Sequence, residues 1–299
     1  MITLVPAVLD AIMGLLIALA SPAHTSVHPH LAVAFPDSSV RAYEEEIRLW
    51  HERRIASLKR DHGWLTLIAL DWLNEGSNEI ASTGTVTLEN GKVSFYVSPG
   101  VQATLAGKPF TSGPVKTDAE VGGPEKIELG SRAFIIIKRG GQYAVRVWDS
   151  NAPARKKFTG IERFPVSTGW RIDARWEPYN PAKQIKVPSV VPSYEEDYSV
   201  PGVAVFTIAG AEYRLEPVLE EGATDLFFIF GDKTNGKDTY GGGRFLYAKP
   251  PKDGKVVLDF NKAYNPPCAF SPYATCPLPP ASNRLPVRID AGEKKYKDH

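Results

Sequence analysis

Glycine-centred turn signals cut the chain into short apolar stretches, and this spacing constrains the fold more than any other feature. Residues 85–88 and 93–97 flank Asn90-Gly91, a pair suited to the two-residue hairpin turn that needs positive φ at both positions. A second hairpin is expected around Gly107. A third joins residues 133–138 to 142–148 over Arg139-Gly140-Gly141, with Tyr143, Val145 and Val147 alternating against Ala144, Arg146 and Trp148. Residues 203–208 and 212–217 close over Ala209-Gly210. Residues 226–230 are apolar throughout, as a strand buried on both faces requires, and 244–248 and 256–260 supply two more strands. No fixed-period repeat is visible, which argues against a propeller or solenoid.

One segment departs from this pattern. From Ser38, the apolar positions Tyr43, Ile47, Trp50 and Leu58 fall at helical spacing, while Glu44, Glu45, Glu46, Arg53 and Lys59 fill the other face. This predicts an amphipathic helix of about twenty residues, capped by Asp37, Ser38 or Ser39. Residues 64–73 are too continuously apolar for periodicity to decide, and are read as a strand.

The 35 basic and 34 acidic residues balance, so no global field attracts nucleic acid or an anionic membrane. The apolar run at 11–20, with Ala18 and Ala20 spaced for signal peptidase, reads as a secretory leader and is too short to span a bilayer stably. Export would place the protein in a secreted, periplasmic or cell-envelope compartment, where Cys268 and Cys276, the two cysteines of the chain, would form a disulfide. Free buried thiols and a catalytic cysteine are the alternatives. The expected organisation is a leader (1–23), a linker (24–37), the helix with an N-terminal β unit (38–177), a linker or edge segment rich in proline (178–201), and a C-terminal β unit with the Cys/Pro-rich loop (202–299).

Candidate chemistry collects in the C-terminal unit. Between two expected strands, Asp232, Asp238 and Tyr240 precede three glycines and Arg244, whose planar fork suits a carboxylate or phosphate. A structural glycine-rich hairpin is the competing account. Too few oxygen ligands are present for a calcium loop, and an eight-residue cysteine spacing matches no usual zinc knuckle, so no metal or other cofactor is expected. Asp259 and Asn261 share a face at a strand end, followed by Tyr264 and Asn265. Arg146, Asp149, Arg155 and Arg163 with Trp148, Trp170 and Trp176 suit either an anionic-ligand surface or tryptophan packing in the core. His51 and His62 offer weak bases for a cysteine nucleophile, and no Gly-x-Ser-x-Gly elbow occurs.

Several motifs together, His62-Gly-Trp-Leu-Thr-Leu, Trp72-Leu-Asn-Glu-Gly76-Ser-Asn78, Arg146-Val-Trp-Asp149, Phe158-Thr-Gly-Ile-Glu-Arg-Phe-Pro165, Asp232-Lys-Thr-Asn-Gly236, Thr239-Tyr240, Arg244-Phe245, Asp259-Phe-Asn261, Asn265-Pro-Pro-Cys268, Cys276-Pro-Leu-Pro-Pro280 and Ala291-Gly-Glu293, resemble domain-of-unknown-function family 1684. The resemblance spans roughly residues 42–296. It implies a β-rich architecture and no mechanism.

The expectation is therefore a mainly β protein: a sandwich-like N-terminal unit and a C-terminal β-barrel or sandwich that share a core, with one N-terminal amphipathic helix. The expected function is a hydrolase-type enzyme for a small polar or anionic substrate. Arg244 would bind the anion and Asp232, Asp238 or Asp259 would act as acid or base, while Tyr240, Asn261, Tyr264, Asn265 and Asn283 would hold the substrate. A non-catalytic module binding a sugar, peptide or anion, or a structural envelope protein, is the alternative.

Overall fold

A computed structural model describes residues 37–80 and 83–297. The expected leader and residues 24–36 of the expected linker lie outside the described residues. Helix α1 (Ser38–Leu58) begins where Asp37 accepts a hydrogen bond from the Ser39 amide, and it buries Ile47 and Leu58. The strands follow as β1 (Leu67–Trp72), β2 (Gly76–Ile80), β3 (Gly84–Glu89), β4 (Lys92–Val97), β5 (Ala103–Leu105), β6 (Lys108–Phe110), β7 (Ser112–Pro114), β8 (Ile127–Leu129), β9 (Arg132–Arg139) and β10 (Gln142–Asp149). The second half holds β11 (Arg171–Pro188), β12 (Glu195–Ile208), β13 (Ala211–Leu215), β14 (Leu226–Phe230), β15 (Arg244–Ala248) and β16 (Lys255–Asp259).

The hairpins form where the turn chemistry directs. Strands β3 and β4 pair through Glu89↔Lys92 around Asn90 and Gly91, which both adopt positive φ. In the N-terminal unit a six-stranded sheet, ordered β1-β10-β9-β8-β5-β6, packs against a four-stranded sheet, β2-β3-β4-β7. Val86 and Phe95 of the smaller sheet meet Ile127, Phe134 and Val145 of the larger, and the Phe95 and Phe134 rings lie 4.6 Å apart.

In the C-terminal unit a curved sheet ordered β13-β12-β11-β16 and the β14–β15 hairpin enclose Ala174, Phe206, Leu215, Leu258 and Phe260 as a half-barrel. Strand β14 explains how the two units share a core. Its Leu226, Phe228 and Phe230 point into the half-barrel, while Phe227 and Ile229 point the other way, onto Leu67 of β1 and Trp148 of β10. Both faces are buried, so every position is apolar.

Of residues 178–201, expected as a linker or edge segment, 178–188 and 195–201 are strand and 189–194 form the connection between them. Beyond a register break between Pro178 and Lys183, β11 and β12 continue as an antiparallel arm from Lys183↔Val200 to Pro188↔Glu195, which buries Val187 and Val200. The prolines sit at the break and at the arm's end, where they remove no inner ladder hydrogen bond.

Helix α1 docks on the C-terminal unit through polar contacts. The Arg54 guanidinium lies over the Tyr264 ring at 4.7 Å, donates to the Asn265 carbonyl at 2.9 Å and pairs with the buried Glu293 at 3.2 Å. Burial pushes the Glu293 carboxyl above the usual carboxylate range, against the pull of Arg54 and the Asn265 amide. A carboxyl raised on folding holds its proton more tightly in the native state. Native stability therefore falls as pH climbs from the unfolded value of about 4.3 through the raised native value. Glu293→Gln should flatten this slope, checked by urea midpoints measured from about pH 4 to pH 7. Parallel profiles for the two proteins would contradict it.

Candidate functional site

The sequence-predicted residues separate into two open clefts, three buried groupings and one surface ion pair. The larger cleft, a cavity of about 780 Å³, lies between α1, the β11–β16 edge and β15. The odd-numbered residues of β11 and β16, Arg171, Asp173, Lys255 and Asp259, share one face and line it, with Trp50 of α1 and Tyr247 of β15 as aromatic walls.

Asp259 closes β16, and Asn261 follows in a turn of 3₁₀ helix that brings the two side chains together. Tyr43 of α1 donates its phenol proton to Asp259 Oδ1 at 2.7 Å, and Asn261 Nδ2 donates to the Tyr43 oxygen at 2.9 Å and the Ser167 carbonyl at 2.8 Å. Burial and then the Asp259 carboxylate raise the Tyr43 phenol well above its ordinary value, so it stays a donor. Asp259 Oδ2 is buried and accepts no hydrogen bond from a described residue, and Lys262 Nζ stands 3.4 Å away. Lys262 also pairs with Glu46, and Lys249 with Asp225, whereas Arg171, Lys252 and Lys255 have no carboxylate within 4 Å among the described residues. The cleft thus offers a buried carboxylate, cations outside ion-pairing distance of the described carboxylates, and stacking surface together.

Tyr43, Trp50, Arg171 and Lys255 were missed from sequence because the pairing is long-range: 216 residues separate Tyr43 from Asp259. A phenol on the apolar stripe of an amphipathic helix looks like packing until its partner is known.

The second cleft, about 490 Å³, lies under the cysteine loop and is walled by Leu70 and Trp72 of β1, Val190, Val191 and Pro192 beyond β11, and Phe270. Tyr240 and Cys268 open onto it. Burial pushes the Tyr240 phenol up to about 12. The expected disulfide is absent, since Cys268 and Cys276 are both free thiols and the Cys268 amide donates to Cys276 Sγ at 3.1 Å. The loop keeps its shape by other means: Ser271 Oγ donates to the Leu67 carbonyl, Val190 N to the Cys276 carbonyl and Leu278 N to the Pro188 carbonyl.

Arg244 is no anion fork. It is fully buried, paired with Asp232 at 2.6 Å, and donates to the carbonyls of Ile289, at 2.9 Å, and Ala291. Asp232 in turn accepts from the Thr234 and Ile289 amides; Arg244 Nε has no partner among the described residues, but both side chains are wholly buried, so neither group has a face for a ligand. The glycines before Arg244 serve packing. Gly243 has φ +94°, and a Cβ there would fall 2.4 Å from Pro279 Cγ and 2.7 Å from the Phe230 carbonyl oxygen. Asp238 is a surface group paired with Arg288 at 2.9 Å.

Asn283 is a second internal staple, joining Glu216 and Ile229 by three hydrogen bonds. Tyr264 is covered by Arg54, and Asn265 binds the Glu293 carboxylate and the Lys294 carbonyl. Among the described residues no cluster of three or more His, Cys, Asp or Glu side chains is placed to hold a metal ion.

The family model described as "Protein of unknown function (DUF1684)" matches residues 156–294. The chain belongs to this family. The DUF1684 segment contains every C-terminal residue of both clefts, and its match begins later than the resemblance read from the motifs, leaving α1 and the N-terminal sandwich outside it. Matching solved structures include the solution NMR structure of an uncharacterized protein from Haloarcula marismortui. It is 30% identical over 49% of this chain and 82% of that one, with a TM-score of 0.41. No curated protein matches the chain. Among the described residues no helix is long and apolar enough to cross a membrane.

Proposed function

We propose that this DUF1684 protein binds a small polar or anionic ligand in the cleft between α1 and the β11–β16 edge, as a ligand-binding β module. One observation carries this: Arg171, Lys252 and Lys255 line an open cavity of about 780 Å³ without carboxylate partners among the described residues, facing the aromatic walls Trp50 and Tyr247. A ligand carboxylate or phosphate would supply the missing counter-charge, and a ring would stack on Tyr247. Export is part of the proposal and rests on the apolar leader at 11–20.

A hydrolytic role is favoured by one specific feature, the Oδ2 of the buried Asp259, which accepts no hydrogen bond from a described residue and has the Lys262 ammonium 3.4 Å away. That oxygen would take a proton from water, with Tyr43 and Asn261 holding the carboxylate in place.

Native mass spectrometry of the purified protein, followed by titration of the retained compound, tests the proposal. Arg171→Ala and Lys255→Ala should each weaken binding about tenfold, more at low than at high salt. Retention of no compound, or variants that bind like wild type, would overturn the binding site. Product formed by wild type and lost in Asp259→Asn would establish turnover, while a ligand retained unchanged by both supports the binding module.

A further inference from the structure

The cysteine loop holds chemistry that the larger cleft does not use. Cys268 and Cys276 touch, but their settings differ. Cys268 is partly exposed and lines the 490 Å³ cleft, whereas Cys276 is 5% exposed and packs with Val187, Val200 and Phe245. Beneath them lies Arg146 of β10, 7% exposed, with Nη2 donating to the Thr275 hydroxyl at 3.1 Å. Its Nε is buried without a partner, and no carboxylate lies within 4 Å among the described residues.

Asp118 acts on this guanidinium only from beyond 4 Å and is itself paired with Arg139, so the buried charge costs free energy that an anion formed beside it would offset. The thiols are the ionisable groups of the loop next to it. The Cys276 thiol, hydrogen-bonded to Cys268, holds the Cys268 thiol below its ordinary value against the opposing pull of burial, and Arg146 adds to this. Burial pushes Cys276 far above its ordinary value. One sulfur is placed to attack from the cleft and the other to wait behind it.

We infer that Cys268 and Cys276 form a thiol–disulfide exchange site whose apolar cleft takes small disulfides with apolar or aromatic substituents. The Cys268 thiolate attacks one sulfur of the incoming disulfide. The incoming S–S bond breaks, a Cys268 mixed disulfide forms and one small thiol leaves. Cys276 then gives up its proton and attacks the Cys268 sulfur, and the second small thiol leaves with a proton as the Cys268–Cys276 bond closes. Two protein thiols are oxidised and one small disulfide is reduced to two thiols.

The test uses the reduced full-length protein with 4,4′-dithiodipyridine, whose pyridinethiol product is measured by absorbance. Wild type should release two pyridinethiols per chain and end with an internal disulfide. Cys276→Ser should release one and retain the adduct on Cys268, and Cys268→Ser should react at least tenfold more slowly than Cys276→Ser. Limiting iodoacetamide on reduced wild type, mapped by peptide mass, needs no variant and should label Cys268 at least tenfold ahead of Cys276. Trp72→Ala, at an exposed cleft wall, should slow the dithiodipyridine reaction severalfold and leave hydroxyethyl disulfide unaffected. Equal labelling of the two cysteines, or a wild-type reaction that stops at a stable mixed disulfide, would overturn the exchange site. Equal slowing of both reagents by Trp72→Ala would overturn its preference for apolar substituents.

Discussion

Replacing Arg244 with alanine should cost the fold about 3–5 kcal/mol, the range for breaking a buried ion pair by removing one partner. The substitution leaves the buried Asp232 carboxyl without its counter-charge, and it strips donors from the carbonyls of Ile289 and Ala291, which anchor the C-terminal segment. Urea denaturation followed by tryptophan fluorescence measures the loss. Asp232→Ala should be comparably damaging, but the double variant Arg244→Met, Asp232→Leu should lie well above the sum of the two single losses, because no orphaned charge remains. A loss below about 1 kcal/mol for Arg244→Ala would mean that the pair is solvated and that the anion fork expected from sequence deserves reinstatement.

Asn283→Ala should cost about 3 kcal/mol, since three buried backbone groups lose their partner at about 1 kcal/mol each. The Asn283 carboxamide accepts from the Glu216 amide at 3.0 Å and donates to the Glu216 carbonyl at 2.8 Å and the Ile229 carbonyl at 3.0 Å. No isosteric group does all three. Asn283→Asp keeps the acceptor and loses both donors, so it should fall below wild type even though its shape is conserved. Urea midpoints would show this. Equal stability of the aspartate variant and wild type would mean that the two carbonyls find water instead.

The hairpins were legible in the sequence because their determinants are local: Asn90-Gly91 and Ala209-Gly210 set turn geometry without help from distant residues. The prolines left the β11–β12 arm open between a linker and an edge segment, because they mark a break and an end, features that local composition does not separate from a linker. Arg244 was misassigned although the signal was present. It shares parity with Leu246 and Ala248 along β15, and those two face the half-barrel core. An arginine in such a register is buried unless the strand ends early. Asp259 and Asn261, expected to share a face at a strand end, do lie side by side, but through a 3₁₀ turn after the strand and not through strand alternation, and their company on α1 rests on packing between segments far apart in the chain.

Strand β14 has a consequence for how this family should be handled. Its alternating side chains belong to two interiors at once, so the stretch that the family model matches is not a self-contained unit of folding in this chain. Cut free at residue 156, the C-terminal half would present Phe227, Ile229 and Phe245 to solvent, because Leu67 and Trp148, which cover them, would stay with the other fragment. In this chain the matched segment carries an adhesive face, and the N-terminal unit is the layer that shields it.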